Sequence, residues 1–158
     1  MMIKNKKLCV CIALVLSLSS LLVGCGNKDN TTKEDVNVKV SAIPVGTKDI
    51  GKGRIEIVTP SGNSKDGVVP FLFVAKDTSM VQVGLNVWEF NGAKLGYIFI
   101  DGVLNTKEQL GDTQMTLTIV SDALKVGKHK VEVAQFDTDK VEGKIVCYKV
   151  GSYEIKGK

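Results

Sequence analysis

Leu124-Lys125-Val126-Gly127-Lys128-His129-Lys130-Val131-Glu132-Val133 is the stretch on which the fold depends. A leucine is followed by Gly127, which lets the chain take a sharp corner, and then by residues whose apolar members fall on one parity, Val131 and Val133. That is the period of two of a half-buried strand. The same period recurs on either side. Upstream, Val81, Val83, Leu85 and Val87 share one face, as do Met115, Leu117 and Ile119. Ile55, Ile57 and Val58 precede the turn residues Pro60-Ser61-Gly62-Asn63, and Val68 to Ala75 is an apolar run interrupted by Pro70. Leu95 to Ile100 leads into Asp101-Gly102, a dipeptide favoured in tight hairpin turns. Downstream, Ile145 to Tyr148 and Tyr153 to Ile155 are predicted as two strands, with a bulge or break at Gly151. No window of eleven or more residues carries apolar positions at helical spacing. About seven short strands separated by turns predict an all-β, antiparallel sandwich.

The approach from Leu124 through Gly127 into Val131 and Val133 resembles the entry to the penultimate strand of immunoglobulin-like and fibronectin-type domains. The resemblance implies that Leu124 plugs one end of the sandwich, that Val131 and Val133 are core, and that Trp88 is an inter-sheet plug. The chain departs from antibody domains in lacking their Cys, Trp, Cys arrangement, and no residue matches their tyrosine corner clearly. A different β-sandwich or a small barrel is the rival architecture.

The first 25 residues carry a second resemblance. Lys4, Lys6 and Lys7 precede the apolar run Leu8 to Leu16; Ser17, Ser19 and Ser20 dilute it before Leu21, Leu22 and Val23. Such an order is the plan of an export leader. At about 16 apolar-region residues it is short for a membrane-spanning helix, which needs about 20. Leu22-Val23-Gly24-Cys25 resembles the lipobox of bacterial lipoproteins. That resemblance implies cleavage between Gly24 and Cys25, lipid on the Cys25 thiol, and a partner in the membrane itself on its extracytoplasmic face. One acyl chain anchors marginally, at about 0.8 kcal/mol per buried methylene, whereas two or three anchor durably. The expected organisation is a signal peptide over 1–24, a lipidated cysteine with a flexible tether over 25–48, and a sandwich domain over 49–158. The ten residues from Gly26 to Asp35 contain no apolar side chain, as a tether requires. Val36 to Ile50 alternates briefly at Val36, Val38 and Val40, and reads equally as an edge strand or as more spacer.

Composition closes off several classes. The chain has 158 residues, 44% of them hydrophobic and 24% charged, with 16 glycines and 3 prolines, which excludes disordered and collagenous chains and leaves room for one core. Its formal charge of +4 resides mostly in the leader: without residues 1–24 there are 18 basic against 17 acidic side chains. Arg54 is the single arginine. No clustered basic face suited to phosphate stands out, so nucleic acid is not an expected partner. Of four cysteines, Cys9 and Cys11 leave with the leader and Cys25 carries lipid, so Cys147 remains alone, read as a small core hydrophobe.

Catalytic chemistry finds little support. One histidine, His129, precludes a metal site of several imidazoles, and between Lys128 and Lys130 it is expected to face solvent or lie at an edge. The acids are spread singly, and Gly51-Lys52-Gly53-Arg54 lacks the helix that would make it a phosphate cradle. No cofactor is expected. Asp137-Thr138-Asp139-Lys140-Val141-Glu142 falls where the last hairpin turns, and Asp137, Asp139 and Glu142 are the only candidate calcium ligands, against the plainer reading of a solvated turn. Leu104 to Gln114 reads as a long polar loop suited to recognition. Tyr97, Phe99, Tyr148 and Tyr153 are the aromatics to place, with core packing expected for each. These features predict a non-catalytic binding or adaptor module for a surface protein or cell-wall glycan, with a lipoprotein binding a small molecule or ion as the alternative.

Overall fold

The computed structural model describes residues 43–158. The expected signal peptide, the expected cleavage and lipidation residues Gly24 and Cys25, and the segment Val36 to Val40 lie outside the described residues. Among the described residues nine strands form: β1 (Arg54–Thr59), β2 (Gly62–Asn63), β3 (Phe71–Val74), β4 (Met80–Trp88), β5 (Leu95–Ile100), β6 (Val103–Gln109), β7 (Thr113–Val120), β8 (Gly127–Phe136) and β9 (Ile145–Gly157). Single 3-10 turns stand at Lys65–Gly67 and Ser121–Leu124. Among the described residues, no helix is long and apolar enough to cross a membrane.

The strands make two sheets, one in the order β2-β1-β4-β7 and the other β3-β9-β8-β5-β6. Thus β1, β4 and β7 stand as strands A, B and E, facing β6, β5, β8 and β9 as C′, C, F and G. The fold is an immunoglobulin-like β-sandwich. Its pairings are antiparallel with one exception: β3 runs parallel to β9, Phe71 beside Glu154 and Leu72 beside Ile155. Pro70 precedes this short edge strand, where its missing N–H costs no ladder bond. Asp101 and Gly102 both take positive φ, 50° and 79°, the requirement of the tight turn that joins β5 to β6.

Residues of one parity fill the space between the sheets. Ile57, Leu85 and Leu117 from the first sheet meet Ile98, Val131, Val133 and Tyr153 from the second, all essentially inaccessible to water. Leu124 is partly buried against this core. The five-stranded sheet is apolar on its other face too, where Tyr97, Phe99, Ala134, Phe136 and Tyr148 form a second cluster. Ile43 is buried in that cluster, and Ile50 pairs with Tyr148, so packing begins within the stretch read as tether. The central strand β8 is consequently buried on both faces from Val131 to Phe136.

Four local expectations are corrected. The polar stretch after Leu104 is strand β6, paired to β5 from Val103 to Gln109; only one side of this edge strand meets the sheet, so polar residues suffice elsewhere. Gly151 is no break, because β9 runs continuously through it and pairs it with Val131. A Cβ there would approach Ile57 Cδ1 at 2.8 Å, so the glycine serves the close approach of β9 to β1. Trp88 is not an inter-sheet plug: it is half-buried at the end of β4, outside the core cluster, with the Arg54 guanidinium 4.4 Å above its ring. The sandwich is also not wholly antiparallel, as β3 shows.

Candidate functional site

His129 is the residue that the sequence reading misplaced. It is buried, and both ring nitrogens are engaged: Nε2 donates to the Lys125 carbonyl at 2.7 Å, and Nδ1 meets Asp101 Oδ2 at 2.6 Å. Its ring stacks on Tyr153 with centroids 5.1 Å apart. The Tyr153 hydroxyl in turn donates to the Ala123 carbonyl at 2.9 Å. Asp101 uses its other oxygen to accept the Lys130 N–H at 2.8 Å. His129 stands near the start of the strand in the F position and bonds to backbone four residues upstream, which is the geometry of a tyrosine corner. The corner is therefore present, built from a histidine on β8 and a tyrosine on β9. The signal available in sequence was position alone: an aromatic ring with a polar tip just after Gly127.

Cys147 is buried, and its thiol donates to the Lys52 carbonyl at 3.0 Å. Burial pushes its pKa up, which disfavours the thiolate a nucleophile needs. It lies beside a cleft of about 350 Å³ lined by Lys52, Glu89, Asn91, Lys94, Gln135 and Asp137. Two of the polar side chains there, Gln135 and Lys94, are committed to protein bonds. Gln135 accepts the Asn91 N–H and donates to the Asn91 and Lys94 carbonyls, while Lys94 Nζ donates to the Asp137 carbonyl at 2.8 Å.

The acidic run lies in the β8–β9 connection as expected, yet its carboxylates do not converge. Asp137 Oδ1 accepts the Lys144 N–H at 2.9 Å, and Asp139 Oδ1 accepts the Leu95 N–H at 3.2 Å. The Tyr97 hydroxyl donates to the Asp139 carbonyl at 2.7 Å. Among the described residues no group of three His, Cys, Asp or Glu side chains is placed to hold a metal ion. Asp139 thus staples the turn to the start of β5, while Asp137 closes the turn on itself.

All four aromatics singled out from sequence are buried. Tyr148 donates to Glu132 Oε1 at 2.7 Å, and Lys130 Nζ reaches the same oxygen at 2.9 Å, so the buried Glu132 is satisfied by a hydroxyl and an ammonium. Burial first, then the bond to Glu132, raises the Tyr148 pKa far above its usual value; burial does the same for Tyr153, with Asp101 adding to it.

No protein-family model and no curated protein matches this chain. Among solved structures it is similar to the fibronectin(III)-like modules of Clostridium thermocellum CbhA, at 9% identity and a TM-score of 0.37, over 66% of this chain and 98% of that one. It is also similar to a Jonesia denitrificans lytic polysaccharide monooxygenase, at 16% identity and a TM-score of 0.32, over 59% of this chain and 61% of that one.

Proposed function

We propose that the protein is an extracytoplasmic lipoprotein, anchored to the cell membrane through lipid on Cys25, whose sandwich is a non-catalytic binding or adaptor module for a surface protein or cell-wall component. The observation that carries the non-catalytic reading is the state of its two reactive side chains. Both nitrogens of His129 are held in structural bonds, and the Cys147 thiol is buried against the Lys52 carbonyl. Neither is available as base or nucleophile. The anchor is supported by the leader ending in Leu22-Val23-Gly24-Cys25, where the small Gly24 precedes the only residue type able to form the thioether.

Fractionation of cells expressing the full chain tests the anchor. The native chain is expected in the membrane fraction and Cys25→Ser in the soluble extracytoplasmic fraction; retention of the variant in the membrane would overturn the lipid attachment. Crosslinking on intact cells, with identification of what is attached, tests the binding role.

A further inference from the structure

The two sheets end side by side at β6 and β7, neither of which has a strand on its outer side among the described residues. A groove of about 680 Å³ runs between them. Its apolar floor includes Ile100, Val103, Met115 and Ala123, and its charged lining residues are Asp101, Glu108 and Asp122, with no lysine or arginine. We propose that this groove binds an extended, cationic segment of a partner protein, which adds as a strand to the free edge of β7. The proposal rests on the binding-module reading above and names the surface and the chemistry of its partner.

Three observations support strand addition. First, the Thr118 carbonyl of β7 points toward the groove, where Asn105 Nδ2 of β6 donates to it at 2.8 Å, a side-chain bond that an incoming backbone N–H replaces. Because backbone direction alternates along a strand, Thr116 and Val120 turn their N–H and C=O groups the same way. Met115, Leu117 and Ile119 then supply the ladder to β4, where they pair with Leu85, Val83 and Val81. Second, the floor is apolar at Ile100, Val103, Met115 and Ala123, and apolar pockets for alternate side chains are what add specificity to main-chain pairing. Third, the charge is of one sign. Asp101 is already bound to His129 and the Lys130 N–H, and Asp122 pairs with Lys125 at 2.9 Å, but Glu108 is exposed on the edge strand and, among the described residues, accepts one long bond from the Thr106 hydroxyl at 3.4 Å. An inward-facing acid on an open edge repels a second copy presenting the same groove and attracts a lysine- or arginine-bearing segment. The occupant therefore alternates apolar residues, directed at the floor, with basic residues directed at Glu108 and the solvent.

The probe is a fluorescent synthetic peptide of alternating valine and lysine, titrated against the full-length lipidated protein in detergent, with a valine and glutamate peptide as its counterpart. Thr116→Pro removes an outward N–H without touching the ladder to β4, and Glu108→Lys reverses the free charge. The lysine peptide is expected to bind, and each variant as well as the glutamate peptide to bind at least tenfold more weakly. Equal binding by wild type and Glu108→Lys, equal binding of the two peptides, or no binding of the lysine peptide would overturn the proposal. So would concentration-dependent self-association of the wild type that Glu108→Lys abolishes, because the occupant would then be a second copy. Circular dichroism and thermal unfolding check Thr116→Pro, and if that variant fails to fold, the exposed Glu108→Lys decides. Should crosslinking on cells capture the same partner from wild type and both variants, the groove assignment falls while the binding-module reading stands.

Discussion

His129 shows how a single polar side chain becomes structural. Its two nitrogens close a corner between the Lys125 carbonyl and the Asp101 carboxylate, and its ring lies on Tyr153, which bonds the same corner at Ala123. Removing the nitrogens while keeping the ring isolates the hydrogen bonds. His129→Phe should preserve the stack on Tyr153 yet leave a carbonyl and a carboxylate without their partner, at a cost of about 2–3 kcal/mol. The measurement is the denaturant midpoint at unchanged slope; an unmoved midpoint would show that the corner is held by packing alone. In the sequence His129 sits between two lysines, and that neighbourhood suggested solvent. The lysines do point outward, and by the period of two the histidine between them points in. The alternation used to assign Val131 and Val133 to the core also covers His129. Charge on its neighbours obscured that parity, and burial of a polar ring was acceptable only because two acceptors, 4 and 28 residues away, meet it.

Among elements, β9 and β6 were the least legible. Gly151 looked like an interruption because glycine weakens a strand, but here a side chain would collide with a neighbour across the sandwich. Gly151→Ala should therefore cost about 1–3 kcal/mol by overpacking against the buried Ile57. Ile57→Val removes the Cδ1 methyl that the new Cβ would meet, so the double variant should be more stable than the sum of the two single losses predicts. Chemical denaturation of the four proteins gives that coupling directly, and strictly additive losses would exclude the contact as the cause. Strand β6 is polar along most of its length because it is an edge with one hydrogen-bonding neighbour, and edge strands carry charge that discourages further pairing. Composition cannot separate such a strand from a loop, since what makes it a strand is the presence of β5 beside it.

For the whole molecule, the two apolar layers flanking the five-stranded sheet explain how a chain with few aromatics holds a double core. Both layers contain tyrosines whose hydroxyls are bonded and buried: Tyr153 in the main core, Tyr97 and Tyr148 in the outer cluster. Burial raises the pKa of all three in the folded state, with Asp139 adding at Tyr97, Glu132 at Tyr148 and Asp101 at Tyr153. The folded protein then holds phenolic protons that the unfolded chain releases near pH 10, so the stability contributed by these groups is complete below that value and declines as pH rises past it. A series of denaturant titrations from neutral pH upward should show the loss beginning at about pH 10. Tyrosinate absorbance should develop together with unfolding, and absorbance that develops while the native circular dichroism persists would contradict the assignment.

Parity of apolar residues, turn dipeptides and the absence of helical spacing determined by themselves that this protein is an all-β sandwich, because a strand half-buried in a sheet records its inward face every second residue. The expectation of a leader ending in Leu22-Val23-Gly24-Cys25 is likewise drawn from local sequence alone, and it lies outside the described residues. Only the tertiary structure decided that His129 and Tyr153 make the corner, that Asp137 and Asp139 bond to backbone and do not converge, that β3 runs parallel to β9, and that a groove opens between β6 and β7. Each of those depends on which residues distant in the chain lie within a few ångströms of one another, and local periodicity carries no record of that distance.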